Sequence, residues 1–376
     1  MKENPIITTD NCAEFEEMTL NMGPQHPSTH GVFHLLLKMN GETITYARPD
    51  IGYLHRGMEK LAEKRTYQAN IAMSDRWDYI AAMSNNFAAV LGPEKLMKVQ
   101  VPKRAEYIRV IMAELNRIAS HLIFFGTYGI DIGAFTPFFY AFRDREKILD
   151  LFESVSGARL TFNYFRIGGV AQDLPADFIA NTKEFIRFFR PKLKEYDTLL
   201  SQNVIFRDRT VGVGAVSAEE AVNWAWSGPN LRGSGVNFDI RKDDTYSVYS
   251  EFDFAVPTGA NGDCWDRYMV RMKEMYESTV IIEQALAKIP EGEIMAKVPR
   301  VIKPPAGEIY IRIEAPKGDL GVYLISDGSV NPYRMKVRGP SFVNVAILQK
   351  ILKGWKIADV VAVLGSLDIV LGEVDR

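Results

Sequence analysis

Residues 103–142 read KRAEYIRVIMAELNRIASHLIFFGTYGIDIGAFTPFFYAF. Ile108, Ile111, Met112, Leu115, Ile118, Ala119 and Leu122 recur at helical spacing, so the first half is an amphipathic helix. On its other face Glu106 and Arg109, and Glu114 and Arg117, stand three apart and can pair. From Ile118 onward the only acidic, basic or imidazole groups are His121 and Asp131. Whether this apolar run crosses a membrane decides the fold. A spanning helix needs about 20 predominantly apolar residues in one helical run. Here Gly126, Gly129, Gly133 and Pro137 punctuate the run, and Asp131 sits at its middle. It reads as a helix end, a buried loop and a second element of a soluble protein. A carboxylate in so apolar a segment is costly unless it is paired or keeps its proton, which makes Asp131 a functional candidate. A loop cap facing solvent is the plain alternative.

Working outward, MTLNM, VFHLLLKM and ETITYA read as strands, and Asn40-Gly41 between the last two marks a hairpin. Helices are expected over 57–73, 78–91, 137–155, 176–203 and 265–289, with a kink or restart at Pro191. Ser217 to Glu220 is a capping box that opens another short helix. EIYIRIE, GVYLIS and YRMKVR, separated by turn residues, read as an antiparallel meander. The fold class is α+β, a central helical bundle with antiparallel β structure at both ends. The expected divisions are an N-terminal extension (1–16), a β-hairpin region (17–50), a helical core (51–300), and a C-terminal meander and tail (301–376).

Composition narrows the function. The 376 residues are 47% hydrophobic and 24% charged with a net charge of −2, which gives no electrostatic case for a nucleic-acid partner. Cys12 and Cys264 form no CxxC, so a disulfide scaffold is not expected and a reducing compartment fits better. The start, MKENPIITTDN, has neither an apolar core nor a basic amphipathic pattern, so no signal or transit peptide is expected. HExxH, the P-loop and GxSxG are absent, and TVGVGAVS lacks the third glycine of a dinucleotide fingerprint. Chemistry must come from His, Tyr, Asp, Glu and Arg. NMGPQHPSTHG (21–31) places His26 and His30 in a segment stiffened by Pro24 and Pro27. His30 is a candidate proton donor, because imidazole titrates near neutral pH; backbone hydrogen bonding within the loop is the alternative. His34 reads as structural, and Tyr79 by default as a packing aromatic.

NMGPQHPSTHG, IGYLHRGMEK, SDRWDY, ASHLIFFGTYGIDIGAFTPFF, NYFRIGG, SGVNFDIRK, PSFVN and GEVDR follow one another along nearly the whole chain. Together they resemble the 49-kDa-type (D-type) family of subunits in proton-pumping NADH:quinone oxidoreductases, respiratory complex I. That family is similar to the large subunit of [NiFe] hydrogenases without its metal. The four thiolate positions correspond here to Asp78, Ala81, Val370 and Glu373, so no metal site is expected. EAPKGDLG (314–321) resembles a segment that hydrogenases also carry.

The resemblance implies a quinone-headgroup site in the vacated cavity. His30 and Tyr79 would donate to the two quinone oxygens and Asp131 would partner His30. His26, Asp368, Val370, Glu373 and Arg376 would line the cavity. Quinone is then the substrate, with electrons from an iron–sulfur cluster in an adjacent subunit and Arg76 near it. The implied partners are the B-type iron–sulfur subunit, the C-type peripheral subunit and the membrane H-type subunit. Within that hetero-oligomer this chain would be a peripheral membrane protein on the cytoplasmic side of the inner membrane. A sister complex fed by ferredoxin or deazaflavin, and a scaffold subunit without substrate contact, are the alternatives. Two positions depart from the family pattern. Asp50 stands where a histidine is frequent. Thr161 also replaces a histidine, which predicts a lower and less pH-dependent cluster potential.

Overall fold

The computed structural model describes residues 17–25 and 31–376. Strands β1 (Met18–Met22), β2 (His34–Asn40) and β3 (Thr43–Asp50) form an antiparallel sheet in that order, with the Asn40–Thr43 pair closing the expected hairpin. Alternate residues Leu35, Leu37 and Met39 are buried, as a strand with one covered face requires. The helix expected over 57–73 is two helices, α1 (Met58–Ala62) and α2 (Tyr67–Ser74). Thr66 breaks the run by accepting from the Ala69 amide as an N-cap.

The bundle follows with α3 (Ala82–Met97), α4 (Lys103–Asp131) and α5 (Thr136–Ser156). The short β4 (Phe165–Arg166) and β5 (Gly169–Val170) precede α6 (Phe178–Tyr196). α6 continues through Pro191, and the irregularity falls later, as a π turn over Asp197–Ser201. Short helices α7 (Val204–Asp208), α8 (Ala218–Asn223), α9 (Gly228–Gly233) and α10 (Ile240–Asp243) lead to the long α11 (Cys264–Lys288). The box at Ser217 and Glu220 caps α8 with both of its hydrogen bonds. β6 (Gly307–Ala315), β7 (Gly318–Ser326) and β8 (Arg334–Arg338) form the expected meander. The chain ends with α12 (Pro340–Val345), α13 (Leu348–Ile351), α14 (Ile357–Ser366) and α15 (Leu371–Asp375).

α4 is the axis of the molecule and packs against α3, α5, α11 and α14. It runs through Gly126 and Gly129 to Asp131, well past Leu122, the last of the amphipathic positions. Among the described residues no helix is long and apolar enough to cross a membrane. The apolar positions expected on α4 are all buried. Each large one contributes about 1.5–3 kcal/mol of transfer free energy.

Its polar face is buried too. Glu114 accepts from Arg117 Nε (3.1 Å), Arg241 Nη1 (3.1 Å), Tyr249 OH (2.7 Å) and Ser278 Oγ (2.7 Å). Arg241 also pairs with Asp239 at 2.6 Å, and Arg232 binds Glu274 at 2.6 Å and Glu314 at 2.8 Å. His121 Nε2 lies 2.9 Å from Glu274 Oε2. This network of buried charged pairs ties α4 to α9, α10, α11 and β6. Burial pushes the Glu114 carboxyl up, but Arg117 and Arg241 outweigh it and hold it down at about 2. Its contribution to stability is therefore complete above the ordinary carboxylate pKa and is lost as pH falls towards 2.

Candidate functional site

Three segments distant in sequence meet at the C-terminal half of α4. Ile123, Thr127, Ile130 and Asp131 recur at helical spacing and form a partly exposed stripe on that otherwise buried half of the helix. The stripe faces a cavity of about 300 Å³ that Tyr79, Ile80, Asp368, Ile369 and Val370 complete. That volume is at the lower end of the ~300–1,000 Å³ typical of small-molecule sites, so it suits one ring system.

The loop between α2 and α3 presents Tyr79. Trp77 is buried beneath it, and Asn85 Nδ2 donates to the Asp78 carbonyl at 2.8 Å. Asn116 of α4 clasps the next residues, donating to the Ile80 carbonyl at 2.9 Å and accepting from the Met83 amide at 3.0 Å. Tyr79 itself is 41% exposed and lines the cavity rather than packing within a helix. Burial of its hydroxyl region, reinforced by Asp78, pushes the phenol pKa up. It is a hydrogen-bond donor that keeps its proton at neutral pH.

The C-terminal tail supplies the far wall, and residues 52–56 pin it there. The Asp375 carboxylate accepts from the amides of Gly52 (2.8 Å) and Leu54 (2.7 Å), and His55 Nδ1 donates to the Asp375 carbonyl at 2.7 Å. Arg56 donates to the carbonyls of Arg76 (2.7 Å) and Gly372 (3.3 Å), joining the tail to the Tyr79 loop. The tail passes so close that a Cβ at Gly372 would fall 2.6 Å from the Trp77 carbonyl oxygen. On the other side, a Cβ at Gly365 would fall 2.7 Å from Asp131 Oδ2, so a glycine there is a condition for the position of that carboxylate. Asp131 is partly exposed at the end of α4. Asp368 adopts φ +55°, the left-handed region that Asp tolerates better than most residues.

Behind the wall lies a buried charged group. Lys317 Nζ is 3.3 Å from Asp368 Oδ2, 3.6 Å from Asp78 Oδ2 and 3.3 Å from Ser120 Oγ. Arg271 Nε lies 3.7 Å from the same Asp368 oxygen. Glu373 accepts from the Ser341 amide at 2.8 Å, and its other oxygen has no hydrogen bond. Burial, then the charge of Asp78, pushes Glu373 up to about 7. A carboxyl raised in the folded state stabilises fully below its ordinary pKa, and that contribution is lost as pH rises towards 7. Burial lowers the Lys317 pKa, but Asp368, Asp78 and Glu373 outweigh it and raise it, so the amine stays charged. Among the described residues no group of three or more His, Cys, Asp or Glu is arranged to hold a metal ion.

The structure thus brings Tyr79, Asp131, Asp368 and Val370 around one cavity, with Glu373 buried behind it. Arg376 opens instead into a separate cleft with His55 and Glu59, its guanidinium 4.5 Å from the Phe342 ring. Arg76 is on the surface beside the buried Asp75, with its guanidinium bound to the Ala72 carbonyl. Burial pushes Asp75 up to about 7, although Asn86 donates to it at 2.6 Å. His26 and His30 lie outside the described residues; on either side of them, the Gln25 amide donates to the Gly31 carbonyl at 3.1 Å. His34 Nε2 lies 3.1 Å from Asn21 Oδ1 and its Nδ1 3.2 Å from Asp50. Sequence reasoning missed Lys317, Ser120 and Arg271. Only Lys317 carried a signal, as the lysine of EAPKGDLG.

A family model described as "Respiratory-chain NADH dehydrogenase, 49 Kd subunit" matches residues 131–376. A Desulforamulus reducens protein, named as the D-type subunit of NADH-quinone oxidoreductase, is 57% identical over 360 residues, 96% of this chain and 98% of that one. Proteins of the same name from Carboxydothermus hydrogenoformans and Bacillus anthracis are 55% and 54% identical, each over 96% of this chain and 99% of their own.

Proposed function

Since the chain belongs to the 49-kDa (D-type) family of NADH-quinone oxidoreductase subunits, part of a multisubunit enzyme, we propose that its cavity receives the headgroup of the quinone that the enzyme reduces. The observation that carries this reading is the meeting of Tyr79, Asp131 and Asp368 around one cavity of about 300 Å³. Reducing a quinone takes two electrons and two protons. A doubly charged product in a water-poor cavity would be prohibitively costly, so proton donors must stand at its oxygens. Tyr79 is one donor. Its raised pKa means that it yields the proton only to a strongly basic oxygen, which is what the reduced ring presents. His30 is the other, with Asp131 as its partner; this assignment rests on the resemblance. Asp368 and Val370 shape the far wall, and Arg76 lies on the side from which electrons arrive.

In the assembled enzyme the electrons come from the iron–sulfur cluster of the B-type neighbour, and the C-type and membrane H-type subunits complete the surroundings. The chain then sits on the cytoplasmic face of the membrane and couples quinone reduction to proton translocation. When His30 gives up its proton, the charge beside Asp131 changes, and that change drives the rearrangement felt by the membrane subunits. Asp131→Asn tests this in enzyme reconstituted into vesicles. Quinone reduction should slow, and fewer protons should be moved per electron. An unchanged proton-to-electron ratio would refute the coupling role of Asp131.

A further inference from the structure

Lys317 belongs to the turn between β6 and β7, where a lysine ordinarily reaches solvent, yet it is 1% exposed. Its ammonium is surrounded by groups from four elements. These are Asp78 from the Tyr79 loop, Ser120 from α4, and Asp368 and Glu373 from the tail, with Arg271 of α11 facing the same Asp368 oxygen. The resemblance to hydrogenases implies that Asp78 and Glu373 stand where those proteins carry thiolates. In this chain the charge opposite those positions belongs to an amine.

Three carboxyl groups here face two fixed cations, Lys317 and Arg271. Without the lysine, Arg271 alone would face the Asp78 and Asp368 carboxylates, leaving a net negative field directly behind the cavity wall. A neutral quinone would bind regardless of that field. Putting electrons on the ring would become harder, because the negative charge develops only during reduction. Resting on the quinone reading above, we propose that Lys317 is a positioning residue whose ammonium neutralises the carboxylate floor of the cavity and fixes Asp368, so that the bound ring can accept electrons beside it.

The test uses the assembled enzyme and compares Lys317→Met, the charge-balanced double variant Lys317→Met/Asp78→Asn, and Tyr79→Phe. Lys317→Met should lower kcat for quinone reduction about tenfold to a hundredfold and leave KM within a factor of about three. The double variant should recover most of kcat, because it removes one charge of each sign. If the single variant does not assemble, the double is compared with the unaltered enzyme, and a recovered kcat supports the inference. A single variant with unaltered kcat overturns it. So does a double variant that fails to assemble, or one that assembles with kcat still low, since Lys317 would then act by its shape. Tyr79→Phe separates the two readings. If that variant is impaired while Lys317→Met is not, the lysine inference alone fails. If Tyr79→Phe reduces quinone normally, the headgroup site itself is misplaced.

Discussion

Tyr79→Phe in the assembled enzyme is expected to lower the rate of quinone reduction by a factor of about 10²–10⁴, the range for loss of a positioned general acid. The substitution removes one oxygen and leaves the ring, which is already 41% exposed, so the fold has little reason to respond. The loop would keep its shape, because Trp77, Asn85 and Asn116 hold it without using the phenol hydroxyl. Electron flow from NADH to a hydrophilic acceptor that draws electrons upstream of the quinone should therefore persist at the unaltered rate. This pairing separates the site from a scaffold role. A scaffold subunit would lose both activities through failed assembly, or neither.

The second large effect concerns stability. Glu114→Ala would leave Arg117 and Arg241 as buried cations without their shared carboxylate, and would strip Tyr249 and Ser278 of their acceptor. Breaking one buried ion pair by removing a partner costs about 3–5 kcal/mol. Here two cations lose the same anion. Against a typical total of about 5–15 kcal/mol, that loss is enough to prevent accumulation of the folded chain. Native gel analysis of the membranes should show the assembled enzyme absent or strongly depleted. Glu114→Gln keeps a carbonyl acceptor and should be depleted less. Normal assembly of Glu114→Ala would mean that the network contributes little to holding α4, α10 and α11 together.

Much of the architecture could be read from local pattern. The apolar spacing of α4, the Asn-Gly hairpin, the capping box at Ser217 and the three-strand meander are all short-range signals, and each appears where it was expected. The errors were local competitions that spacing does not reveal. Thr66 captured an amide and split one helix into two, and α6 absorbed Pro191 and distorted a turn later.

The site was legible through its oddities. Asp131 stood out against apolar neighbours, and SDRWDY and GEVDR stood out through the family resemblance. What could not be read was burial of charge. A Glu and an Arg three apart look the same on a helix whether they face water or a guanidinium from elsewhere. The partners of Glu114 lie 127 residues away at Arg241 and 164 away at Ser278. Lys317 was hidden for the same reason: only the tertiary fold brings Asp78 and Asp368 to it.

The most direct test of the headgroup site is photoaffinity labelling of the assembled enzyme with a short-chain quinone that carries its reactive group on the ring, with the labelled peptides mapped by mass spectrometry. The label should map to Tyr79–Ile80, Ile123–Asp131 and Asp368–Val370, and excess unlabelled quinone should compete it away. Competable label confined to other subunits, or on this chain only at the distant cleft of Gln68, Arg166 and Arg300, would contradict the assignment.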